Sequence, residues 1–180
     1  MKLLHREEGM IAAALALAAD QGSKLALLYG FGFSHMPPGV AIPVLPFFNL
    51  IMVWNSGISY GLFQARSPIA IGALVLVAFT AIALLFYWMW VTTSRSLAIG
   101  VGLVIGGAVG NNLIDRVVYG RVADFFHFYG FGYDWYVFNI ADVAITLGAI
   151  AIVYEVIKPQ PSVETGHADI GNSGIGVDDA

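Results

Sequence analysis

Long apolar runs separated by short polar breaks dominate this chain. Four of them approach the length of about 20 residues that a helix needs to cross a bilayer. The first spans about 9–33 and is interrupted by Asp20 and Lys24. The second, about 69–91, follows the break at Ser67-Pro68. The third, about 97–118, is joined to the second by the polar hairpin Thr92-Thr93-Ser94-Arg95-Ser96. The fourth, about 137–157, stops at Lys158-Pro159. This pattern predicts an all-α membrane protein of four transmembrane helices with both termini on one side.

The two connections opposite the termini are not featureless. Residues 34–67 begin with Pro37-Pro38-Gly39. They continue through aromatic and β-branched residues punctuated by Asn55-Ser56-Gly57. Such a segment reads as short strands around a turn, and its aromatic residues suit the membrane surface. The expected result is a small β-containing extracytoplasmic subdomain. The second connection, about 119–136, is equally rich in Phe, Tyr, Trp and Gly. Residues 159–180 carry little apolar content and read as a disordered cytoplasmic tail.

Composition narrows the function classes. Of 180 residues, 58% are hydrophobic and 11% charged, against about 25% charged in soluble domains. A mean hydropathy of +0.78 agrees, so the chain belongs in a membrane. The eight Lys and Arg form no patch, which argues against a nucleic-acid partner. The absence of cysteine removes disulfides, thiolate metal sites and a Cys nucleophile. His5, His35, His127 and His167 have no partner at ligand spacing, so no metal or other cofactor is expected. The N-terminal apolar core with its Ala-x-Ala sites imitates a secretory signal. Glu7, Glu8 and the three later spans favour a retained first helix instead. Lys2, Arg6, Arg95 and Lys158 on the terminal side balance Lys24, Arg66, Arg116 and Arg121 on the other, a tie by charge count. Setting aside the four that lie in polar motifs places the termini in the cytoplasm.

The carboxylates carry the candidate chemistry. Asp142 lies early in the last apolar run, with no Lys or Arg within a turn or two. A carboxylate in a span costs roughly 2.5 kcal/mol or more and marks a functional site by default. Asn139, three residues earlier on the same helix face, can hydrogen-bond it but not neutralise it. Asp20 pairs with Lys24 at i, i+4, Asp115 adjoins Arg116, and Asp124 has Arg121 nearby. Antiparallel third and fourth spans would bring Asp124 and Asp142 to a similar depth. Two such carboxylates share a proton, so one serves as base toward water while the other serves as acid. That is aspartic peptidase chemistry. Paired carboxylates also serve retaining glycosidases, but a greasy, narrow setting suits a lipid-bearing or helical substrate.

Simpler roles compete at each position. Asp124, more than Asp142, reads as a helix or turn cap. Arg116 can snorkel to headgroups, and Asn55-Ser56-Gly57 can be only a turn. Gly106-Gly107-Ala108 and Gly110 read as close helix packing rather than ligand contact.

In combination the motifs resemble the lipoprotein signal peptidase (signal peptidase II) family over most of residues 15–157. They are Asp20-Gln21-x-x-Lys24; Phe47-Phe48-Asn49-Leu50 with Asn55-x-Gly57 and Gly61; and Gly106-Gly107-Ala108 with Asn112-Leu113-Ile114-Asp115-Arg116. Gly120-x-Val122-x-Asp124-Phe125 and Phe138-Asn139-x-Ala141-Asp142 complete the set. The resemblance implies a multi-pass aspartic endopeptidase of the bacterial cytoplasmic (inner) membrane with cytoplasmic termini. Its partners would be membrane lipids and diacylglyceryl-modified prolipoproteins, cut just before the lipidated cysteine. It implies a catalytic pair at Asp124 and Asp142. Substrate-channel positions fall on Asp20, Lys24, Asn55, Gly57, Asn112, Arg116 and Asn139. The family usually has Gly-Asn-x-x-Asp-Arg. Here Gly110-Asn111-Asn112-Leu113-Ile114-Asp115-Arg116 is one residue longer, so spacing selects Asn112 while adjacency to glycine selects Asn111. Ser59-Tyr60 stands where the family more often has Ala and Phe. A small transporter or proton relay built on the same buried acids is the alternative, and a non-catalytic assembly factor a third.

Overall fold

The computed structural model describes residues 5–37, 39–57, 65 and 67–158. Four helices in it are long and apolar enough to cross a membrane: Arg6–Gly30, Pro68–Val91, Arg95–Tyr119 and Ile140–Ile157. The first comprises α1 (Arg6–Leu25) and a wider π-helical turn, Ala26–Gly30. The second is α2 (Pro68–Val91). The third begins as α3 (Arg95–Ala108), widens into a π-helix over Val109–Asp115 and ends as α4 (Arg116–Tyr119). The last is α5 (Ile140–Ile157).

Local chemistry sets several of these ends. Ser67 caps α2 by accepting from Ala70 N, with Pro68 in the first turn where its missing N–H is no loss. Ser94 caps α3 in the same way through Leu97 N. α5 starts at Ile140 rather than near Val137, because Phe138 is still extended and bridges Phe126 on a neighbouring strand. The first span likewise closes at Gly30, and Phe33 begins a short 3-10 turn, Phe33–His35.

α3 is the central helix, packed between α1 and α5. Its glycines permit this, as expected of Gly106-Gly107-Ala108. A methyl on Gly106 would collide with the Ala13 carbonyl of α1, and one on Gly107 with the Ala141 carbonyl of α5. Backbones that approach so closely gain dispersion contacts, the main attraction available between helices in lipid. α2 is peripheral, with Met89 its one buried residue.

A four-stranded antiparallel sheet of order β1-β2-β3-β4 covers the end of the bundle where α1 and α4 finish and α5 begins. β1 (Ala41–Leu45) and β2 (Phe48–Asn55) come from the first connection, as its composition predicts, but the turn between them is Pro46-Phe47, and Asn55-Ser56-Gly57 stands at the far end of β2 instead of joining the two strands. β3 (Val122–Gly130) and β4 (Tyr133–Asp134) come from the second. The sheet packs on the first span and the turn after it through Leu27, Leu28 and Phe33 against Met52, Ala123 and Phe125. Phe33 and Phe125 meet edge to face, 5.9 Å between centroids. The tail expected at 159–180, Arg66, and the Ser59-Tyr60 and Gly61 positions lie outside the described residues.

Candidate active site

Asp124 sits on β3, paired across the ladder with Val53 of β2. It therefore caps neither a helix nor a turn, contrary to the simpler sequence reading. Capping falls to the other acid. Asn139 is the N-cap of α5 and accepts from Asp142 N at 3.0 Å, while Asp142 Oδ2 accepts from Asn139 N at 3.1 Å. This reciprocal capping box locks both side chains to the helix start.

The same Asn139 reaches the strand. Its Nδ2 donates to Asp124 Oδ1 at 2.6 Å and to the Ala123 carbonyl at 3.3 Å. One buried amide thus holds a carboxylate from β3 and, through the cap, a carboxylate from α5. Asn55, at the end of β2, donates to Asp124 Oδ2 at 3.2 Å, and its own carbonyl accepts from Gly57 N. Asn111 donates from Nδ2 to Asp142 Oδ1 at 3.0 Å. Both aspartates and Asn55 line one cavity of about 510 Å³, whose further walls include Tyr136, Phe138 and Thr146.

Burial pushes the Asp124 carboxyl up to about 7, with the Asp142 charge adding to the effect; hydrogen bonds from Asn55 and Asn139 oppose it. Asp124 therefore keeps its proton well above the pH at which an ordinary aspartate loses it. Two carboxyls on the wall of one cavity, one of them raised toward neutrality, are the kind of groups that can serve as base and acid.

Arg116 is buried. Its Nε donates to Asn112 Oδ1 at 3.3 Å and its Nη2 to the Gly57 carbonyl, while Nη1 is buried with no hydrogen-bond partner among the described residues. It is therefore anchored in the protein rather than snorkelling to headgroups. Arg121, which the sequence sets near Asp124, instead lies over the Trp54 ring.

Asp20 and Lys24 form the expected pair at 2.8 Å, but away from the cavity wall. Asp115 completes a buried ion triad with them, at 2.8 Å from Lys24 Nζ. Its partner is thus Lys24 and not the adjacent Arg116. Gln21 donates to both Asp20 and Asp115. The structure also separates the two asparagines of the lengthened motif. Asn111 is buried among Lys24, Asn139 and Asp142, whereas Asn112 is half-buried and bonded to Arg116. Spacing to Asp115-Arg116 had pointed to Asn112. That spacing comes from the Asn-x-x-Asp pattern, whereas here the segment is a π-helix in which Asn111 and Asp115, four residues apart, both reach Lys24. Adjacency to Gly110 was the usable signal, because a methyl on that glycine would strike Asp20 Oδ2.

Residues 12–158 match the family model described as Signal peptidase (SPase) II. A protein of Nitrobacter hamburgensis named lipoprotein signal peptidase is 47% identical over 160 residues, covering 87% of this chain and 95% of that one. Its namesake from Methylocella silvestris is 40% identical over 158 residues, covering 88% and 90%. Two solved structures, each described as a bacterial membrane enzyme determined by the in meso method, share the fold. One, at 1.9 Å resolution, has a TM-score of 0.71 and 26% identity over 88% of this chain and all of that one. The other, at 2.3 Å, has a TM-score of 0.72 and 27% identity over 83% and 87%. The ordered motifs, the four spans and these matches agree, and the chain belongs to the signal peptidase II family.

Proposed function

We propose that this protein is a membrane aspartic endopeptidase that removes the signal peptide from diacylglyceryl-modified prolipoproteins, cutting just before the lipidated cysteine. The observation that carries the reading is Asn139. It hydrogen-bonds Asp124 of β3 and Asp142 of α5 at once, on the wall of one cavity.

In this mechanism Asp142, as carboxylate, takes a proton from a water as its oxygen attacks the scissile carbonyl carbon. Asp124 gives its proton to the carbonyl oxygen. The tetrahedral species collapses when Asp142 returns its proton to the leaving amide nitrogen and the oxygen-bound proton goes back to Asp124. Each proton borrowed is returned, and no cofactor enters. Arg116 Nη1, with no partner among the described residues, is a donor suited to a substrate carbonyl, and Asn55 stands on the cavity wall. The low-dielectric cavity, with Phe138 and Trp135 on its walls, suits a helical signal peptide beside an acyl-bearing residue. The sheet would rest at the outer face of the cytoplasmic membrane, with both termini in the cytoplasm.

A proton relay needs polar groups spaced through the bilayer. Here residues 9–19 of the first span, 97–110 of the third and 147–153 of the fourth contain no side chain able to carry a proton. The polar cluster is confined to one end of these three helices, which favours a peptidase. Asp124→Asn and Asp142→Asn, assayed separately on a lipidated precursor at matched membrane levels, should each abolish cleavage. Wild-type processing by either variant would remove the dyad, and coupled flux in sealed vesicles without proteolysis would favour the transporter.

A further inference from the structure

Lys24 is buried deeper than a substrate-facing lysine should be, at 2% exposure. Three oxygens surround its ammonium: Asp20 Oδ2 at 2.8 Å, Asp115 Oδ2 at 2.8 Å and Asn111 Oδ1 at 2.7 Å. An ammonium carries three N–H groups, so this set leaves none for a substrate.

The two carboxylates around it point outward to matched positions. Asp20 Oδ1 accepts from Ala141 N at 3.0 Å, and Asp115 Oδ2 accepts from Ala123 N at 3.1 Å. Ala141 immediately precedes Asp142, and Ala123 immediately precedes Asp124. One arm of the triad thus fixes the backbone of α5 beside one aspartate, and the other fixes β3 beside its partner. The third oxygen belongs to Asn111, whose Nδ2 donates to Asp142 Oδ1 at 3.0 Å. A cation on the carbonyl side of an amide makes its N–H groups stronger donors. Its field therefore passes through Asn111 to Asp142.

Building on the aspartic peptidase reading above, we propose that Lys24 is a positioning residue and not a substrate ligand. Its ion triad sets the placement of the two aspartates, and Asn111 relays its charge so that Asp142 is the one held as carboxylate. Among the described residues, the charged groups around Asp142 are Asp20 and Lys24 of α1, Asp115 and Arg116 beyond Asn111, and Asp124 of β3. Lys24 is the cation among them that reaches Asp142 through a single intervening amide.

The test uses full-length protein in detergent and a synthetic diacylglyceryl-modified precursor peptide. Lys24→Gln combined with Asp115→Asn removes one positive and one negative charge together, so no additional net charge is buried. Asn111→Ala removes the relay and leaves the ion triad in place. Both should keep KM within about twofold and lower kcat about tenfold or more. Both should also move the acid limb of the kcat profile upward by about one pH unit, because the carboxylate form of Asp142 loses its support. A raised KM with unchanged kcat would make Lys24 a substrate ligand and overturn the proposal. An unchanged kcat and acid limb would reduce the triad to a brace and overturn it equally. If the paired variant does not fold, Asn111→Ala decides on the same readouts. Asp124→Asn and Asp142→Asn run alongside separate the two claims. Cleavage by either variant defeats the peptidase mechanism itself, whereas a normal acid limb in Asn111→Ala defeats only the relay.

Discussion

Asn139 does two jobs with one amide. Its carbonyl oxygen caps α5 and its amino group binds Asp124. Capping alone is worth about 1 kcal/mol, so a large loss of activity at this position would report the second contact. Asp124 itself couples the site to stability. Its ordinary value is 3.8 and burial with the Asp142 charge raises it to about 7. A carboxyl raised in the folded state favours folding fully below its unfolded value. That contribution is lost as pH rises through the folded one. Asp124→Asn has no such proton to lose. Thermal unfolding in detergent should therefore give similar Tm for variant and wild type near pH 4. Above pH 7 the variant should have the higher Tm by several degrees. Equal Tm at both pH values would mean that Asp124 is not held protonated. The same titration predicts that cleavage declines above neutral pH, as the acid partner of the pair ionises.

At the scale of elements, the π-helix Val109–Asp115 is the feature with most consequence. Widened turns of this kind often mark functional positions within helices. Here the segment presents Asn111 and Asp115, four residues apart, together to Lys24. Deleting Asn112 shortens the run to Gly-Asn-x-x-Asp-Arg. In an α-helix, residues at i, i+3 share a face, so Asn111 and the aspartate would still point inward. The deletion variant should fold and keep kcat within about tenfold of wild type, since the side-chain hydrogen bond it loses among the described residues is the one from Arg116. Activity as low as that of the Asp142→Asn variant would show that the lengthened turn is itself required. Peptidase assay and circular dichroism on the purified variant decide between these outcomes.

For the whole molecule, the disposition in the membrane follows from where the polar groups collect. Four apolar spans carry their buried charges chiefly at the sheet-bearing end, while Glu155, near the opposite end, ties to Ser94, Ser96 and Lys158. The chain has no cysteine, so single introduced thiols report sidedness without background. Tyr133→Cys on the exposed β4 strand and Thr93→Cys in the hairpin between α2 and α3 probe opposite ends. An impermeant maleimide applied to intact spheroplasts should label the first and spare the second. The reverse pattern would invert the orientation and separate the site from a substrate on the outer face.

Hydropathy alone was enough for the four spans, because lipid leaves a helix no other way to satisfy its backbone. The isolated Asp142, the Asp20 to Lys24 spacing and the order of the motifs were also legible in the chain, being local or nearly local patterns. Other features depended on contacts between segments distant in sequence. The strand that carries Asp124 is defined by its ladder with β2. Lys24 changes from a candidate ligand to a saturated centre once Asp115 and Asn111 arrive from another helix. Asn111 rather than Asn112 reaches Lys24 and Asp142 through contacts between helices, which residue spacing along one segment does not register.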